Sequence, residues 1–380
     1  MTHAQVHYLQ HRTTGQRSTL TLAQMQVSTE TTAGGKSRRT EKHFATAAEA
    51  ATYAERQEWT LLKKGFVLHH AAAVPGEPLL HCFIGGGGYT GSLAFAATPL
   101  GLYVYQHGWF RSATDQQDFV VQLDAAGHVH ATLPLPTVLA WDMRYQPAWP
   151  ALVLDLDHTI FAYDLEAGVF QPLSERGQSP ASWVAVAAGR TAFVASDELV
   201  VLGPDRRALF RQPLATQLFN GAVGFAAALG GSGKQLAVHT TPGEVQLRRA
   251  LDGTLQHLLT GDFGLVQQLA FIGHDQLLLL LERSGTGRLR CFDLVRYTEV
   301  DFSLVGGEDW PSGPKAYCLN ADQTRLALLR GSWVELFEVA SRQLVRRFRL
   351  QHCVKSAKLH FVGEALGART DAGCFSLYQL

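Results

Sequence analysis

The chain has 380 residues, of which 46% are hydrophobic and 17% charged, with a formal net charge of zero. That balance excludes a disordered polyelectrolyte, and the length exceeds one ordinary core of about 100–200 residues. The charge is unevenly spread, with nine Lys and Arg against five Asp and Glu in residues 1–70, and 24 against 28 thereafter.

In chain order, the first segment "MTHAQVHYLQHRTTG" lacks the apolar stretch of a secretory signal, so a cytoplasmic location is expected. "STLTLAQMQVSTETT" (18–32) alternates and is rich in Thr, Val and Leu, which predicts one or two strands. A Gly34-Gly35 turn leads into a basic strand ending at Phe44. Thr46 and Glu49 then form the S/T-x-x-E box that opens a helix. Ala47, Ala50, Ala51, Ala54, Leu61 and Leu62 recur at helical spacing, and Gly65 stands where a left-handed terminator is wanted. Residues 71–78 read as a linker, as do His69 and His70.

From about residue 79 the chain falls into units of 40–50 residues, each with strands ending in apolar-x-apolar-Asp/Glu and a turn. "TIFAYDLEAGVFQPL" (159–173), "RLRCFDLVRYTEVDFSL" (288–304) and "WVELFEVASRQLVRRFRL" (333–350) are the clearest copies. First strands are expected near Ser92, Val138, Trp183, Val223, Val266, Ala316 and Ser356. A sheet of this kind cannot bury both faces alone, so the units must stack around an axis. The last unit has room for three strands before Leu380, while "PLLHCFIG" (78–85) is an orphan ahead of the first unit. Pairing the orphan, at 79–84, with the last unit would close the ring. The expected fold is mainly β: a seven-bladed β-propeller over 79–380 behind a small α+β module over 1–70.

Two family resemblances carry the same division. Phe44, Thr46, Glu49, Ala50, Lys64, Gly65 and Phe66, with Gly34 and Gly35 at the turn, resemble the pattern of the WGR domain, found in some poly(ADP-ribose) polymerases and bacterial proteins. "TTAGGK" stands where that family carries Trp-Gly-Arg, the triplet that lies at the DNA contact in the polymerases. The repeats resemble, loosely, those of WD-repeat propellers. The resemblance implies a nucleic-acid- or protein-binding module fused to a partner-binding platform.

The residues themselves offer several candidate sites. Lys36, Arg38, Arg39 and Lys42 form a basic run that could meet phosphates, though a solvated basic loop kept for solubility accounts for it more simply. Trp109, Trp149 and Trp310 sit in polar loops, where they would anchor a protein partner or plug the gaps between blades. Asp155, Asp157 and His158 read as a polar turn, and His128 and His130 find no third ligand, so no metal site is expected. The glycine run at 84–91 lacks the Lys and helix of a phosphate loop, and no G-x-S-x-G occurs. Five scattered cysteines read as buried free thiols. The most apolar run, "LLLLL" at 277–281, is far short of the roughly 20 residues that span a bilayer, so no membrane partner is expected. The expectation is a non-catalytic interaction protein without cofactor; the alternative is a propeller enzyme or small-ligand sensor with its site at the central channel mouth.

Overall fold

A computed structural model describes residues 4–70, 73–85, 92–108, 117–175, 181–214, 218–219, 222–283, 287–307 and 313–380. The N-terminal strands are β1 (Gln5–His11), β2 (Arg17–Ala23), β3 (Gln26–Ala33) and β4 (Lys36–His43), followed by α1 (Ala47–Lys63), β5 (Phe66–His69) and β6 (Pro78–Phe83). In β1 to β3 the alternation puts Leu9, Leu20 and Val27 on one face, where they meet Ala50, Ala54, Leu62 and Phe66. The helix starts where the sequence says it should. The Glu49 amide donates to Thr46 Oγ1 at 3.2 Å, and Glu49 Oε2 accepts from the Thr46 amide at 3.3 Å. It stops at Gly65, whose φ of +92° continues the chain in a conformation that disfavours any Cβ.

Six four-stranded sheets follow, spanning 95–134, 140–172, 183–213, 226–260, 266–300 and 316–349. Each is a simple antiparallel meander, and apolar residues fill the space between consecutive sheets. Phe263, Phe271 and Phe292, for example, pack with Val245 and Leu247 of the preceding sheet. The ring is completed where Phe95, Val104 and Val121 of the first sheet meet Cys82, Leu80 and Phe375.

The expectation of seven separate blades is corrected here: six stand free. The remaining strands, Ala357–Val362, Ala365–Thr370 and Cys374–Tyr378, belong to a nine-stranded sheet that runs on through β6, β5, β1, β2, β3 and β4. β6 does lie against Cys374–Tyr378, with Phe375 opposite Cys82 and Ser376 opposite His81. Its other edge is taken by β5, with Val67 opposite Cys82 and Leu68 opposite His81. His69 is therefore a strand residue and not linker. The cause is the short apolar run Phe66-Val67-Leu68, all buried, which covers an edge that would otherwise face water. The basic module is welded to the ring by backbone hydrogen bonds.

Candidate functional site

The inner strands converge on a central cavity of about 510 Å³. It is lined by Ser92, Asp142, Ser182, Phe225, Gln267, Tyr317 and Lys358, each at or just before the start of an inner strand, so that one mouth of the channel is defined. Gln268 stitches two blades together there. Its amide donates to the Tyr317 carbonyl at 2.7 Å and accepts from the Tyr317 amide at 3.2 Å.

The charged chemistry of the mouth comes from the second sheet and the closing sheet, which flank the first sheet on either side. Asp142 and Arg144 lie on Ala140–Gln146, Asp155 on Ala151–Leu156, and Lys358 and His360 on Ala357–Val362. Lys358 donates to the Trp141 carbonyl at 2.9 Å and to the Asp142 carboxylate. Arg144 donates to Asp142 Oδ2 at 3.0 and 3.1 Å and to His360 Nδ1 at 3.2 Å. Burial alone would raise the Asp142 carboxyl, but Arg144, then Lys358 and His360, hold it well below the usual range. Burial pushes the Lys358 ammonium down, and burial together with the two cations pushes His360 well down. Asp155 sits opposite Asp142 across the strand pair, and burial pushes its carboxyl up to about 6. Its Oδ1 and the Nε2 of His360 are buried without a hydrogen-bond partner. An unsatisfied carboxylate oxygen beside a lysine is costly to keep, and such groups concentrate at functional sites.

A second cluster lies at the seam between α1 and the ring. Glu58 is buried on α1, and three imidazoles surround it: His7 from β1, His81 from β6 and His352 from the connection at 350–356. Glu58 Oε1 is 3.1 Å from His352 Nε2 and 3.9 Å from His81 Nε2, while Oε2 pairs with His7 Nδ1. Burial would raise the Glu58 carboxyl; hydrogen bonds from His352 and His7 hold it well below its ordinary value. Burial pushes His81 down to about 3. His352 stacks between Trp59, at 4.9 Å, and His81, at 5.3 Å.

The residues singled out by sequence fall elsewhere. Lys36, Arg38, Arg39 and Lys42 are all exposed on β4, the free edge of the nine-stranded sheet. Arg39 pairs with Glu41, and the Lys42 ammonium lies over the Tyr53 ring at 4.5 Å and the Phe44 ring at 5.3 Å. Trp149 is buried among Val153, Ile160, Phe193 and Val200 of two adjacent sheets, with the Arg206 guanidinium 4.7 Å above its ring. It plugs the gap between blades. Trp109 and Trp310 lie outside the described residues, as does most of the glycine run. Asp157 and His158 form the turn after Asp155, both with positive φ, and His158 Nδ1 is 2.8 Å from Ser182 Oγ. His128 stands 3.4 Å from Asp124 on a solvent-facing hairpin.

Sequence reasoning missed Glu58 and its three histidines. One signal was present. Positions 50, 54, 58 and 62 form a single helical stripe, and a carboxylate in the middle of three apolar residues marks a buried charge that needs partners. The described residues contain no helix long and apolar enough to cross a membrane. No protein-family model matches the chain, and no curated protein matches it.

Proposed function

We propose that the protein is a non-catalytic recognition protein whose ring, counted as seven blades when the strands shared with the nine-stranded sheet are included, receives an acidic group of a protein partner at the channel mouth. The observation that supports this most is Arg144. Its guanidinium is fixed by Asp142 and His360, yet its side chain is 37% exposed to the cavity. A pre-oriented guanidinium with donors to spare is suited to a carboxylate. The surrounding charges are already mutually compensated, so docking does not require them to reorganise.

The test uses the full chain and its Arg144→Ala variant as parallel baits. Loss of a wild-type-captured protein from the variant, with unchanged circular dichroism and Tm, supports the reading; identical capture by both contradicts it.

A small-ligand sensor or enzyme at the same mouth is the second reading, favoured by Asp155, whose raised carboxyl lies across the strand pair from Asp142, a residue that lines the cavity with Lys358. A thermal-shift screen with small carboxylates and amines tests it. The shift should vanish in Lys358→Met, and failure of every compound to move Tm removes this reading.

The N-terminal module, WGR-like in its order of strands, helix and closing strand, is proposed as an accessory surface for nucleic acid. Lys36 and Arg38 share one face of β4 and carry that proposal. Because the module shares its sheet with the ring, the full chain is the proper reagent. Replacing Lys36, Arg38 and Arg39 by Ala should reduce the salt dependence of DNA binding, and an unchanged slope rejects the idea.

A further inference from the structure

We infer that Glu58, His81 and His352 form a binding site for one divalent transition-metal ion of the zinc class, held between α1 and the ring. The three donor atoms lie within 4.8 Å of one another, and they form the one such group found among the described residues. Tetrahedral zinc with bonds of about 2.1 Å places its ligand atoms about 3.4 Å apart. The separations from Glu58 Oε1, 3.1 Å to His352 Nε2 and 3.9 Å to His81 Nε2, bracket that value.

His81 supplies an independent observation. Its ring is fully buried, and its Nε2 points towards Glu58 with no hydrogen-bond partner. The distance of 3.9 Å to the carboxylate is too long for a hydrogen bond. A buried imidazole nitrogen left 3.9 Å from an acceptor is unfavourable by itself, and a cation between the two satisfies both. The other ring nitrogen, Nδ1, lies 2.7 Å from Ser376 Oγ, which fixes the ring's orientation as hydrogen-bond partners of metal-binding histidines do. His7 acts on the opposite oxygen. It holds Glu58 Oε2, leaving Oε1 for the ion. Two clefts approach the group from solvent, one lined by His7 and Glu58, the other by Trp59 and His352, and they give the ion an entry path.

The ligands come from three places: the helix of the N-terminal module, the strand that joins module to ring, and the last blade-to-blade connection. A bound ion therefore pins the module against the ring. It is independent of the channel mouth, whose residues it does not use.

The experiment titrates chelator-stripped, full-length protein with Zn(II) and separately with Co(II). One equivalent should bind. Co(II) should show the strong visible bands of a four-coordinate site, and Zn(II) should raise Tm. His352→Ala, in the most accessible of the three ligands, should abolish saturable uptake, whereas His7→Gln should weaken it by the roughly 10–100-fold typical of a supporting residue. His81→Gln repeats the test at the buried position, and His352→Ala decides alone if that variant does not fold. Absence of stoichiometric uptake by the stripped wild type, or uptake undiminished in His352→Ala, overturns the inference.

Discussion

Asp155 shows what the channel mouth costs the fold. Its carboxyl ordinarily titrates near 3.8 and in the folded chain at about 6. Between those values the unfolded chain has released a proton that the folded chain still holds. The contribution of Asp155 to stability is therefore fullest below about pH 4 and falls as pH rises through 6, by about 3 kcal/mol in all. Asp155→Asn removes this loss, so denaturant unfolding should find the variant more stable than wild type near pH 7.5 and equal to it near pH 4. A variant less stable at both would show that Asp155 is a structural acid. Trp149 makes the opposite case. Replacing it with Ala should cost about 3–5 kcal/mol, because it empties the space between two sheets, while leaving partner capture unchanged. Its sequence context, "QPAWPA", is that of a surface loop, and nothing local reveals that the neighbouring sheet covers it.

The elements were the most legible level. The helix has its capping box, its apolar stripe and its glycine stop within twenty residues, so local rules suffice. Thr46→Ala should lower stability by about 1 kcal/mol, measured by thermal or denaturant unfolding, since one amide of the first turn loses its partner. Expected first strands near Ser92, Val138, Trp183, Val223, Val266, Ala316 and Ser356 compare with observed starts at Phe95, Ala140, Trp183, Ala226, Val266, Ala316 and Ala357. The repeat carries them, because each inner strand must present the same apolar pattern to its neighbours. The sites were less legible for a matching reason. Asp142 and Lys358 are 216 residues apart, and His7 and His352 still further, so only ring closure brings them together.

At the scale of the molecule, the sequence shows a module, a linker and a ring, and the structure joins them in one sheet. The orphan strand was readable because one unit lacks an outer strand and another segment has no unit. Its second neighbour was not, because Phe66-Val67-Leu68, between the glycine stop and two histidines read as linker, is too short to show a period of two. The junction decides whether the protein is two bodies or one, and with it whether α1 can hold Glu58 against the ring. Native-state hydrogen exchange on the full chain tests this most directly. Amides of Val67–Leu68, Leu80–Phe83 and Cys374–Leu377 should share one high opening free energy and exchange together, as parts of a single cooperative unit. Rapid exchange across 66–83 while Cys374–Leu377 stays protected would mean that the module is merely tethered, and would contradict the account.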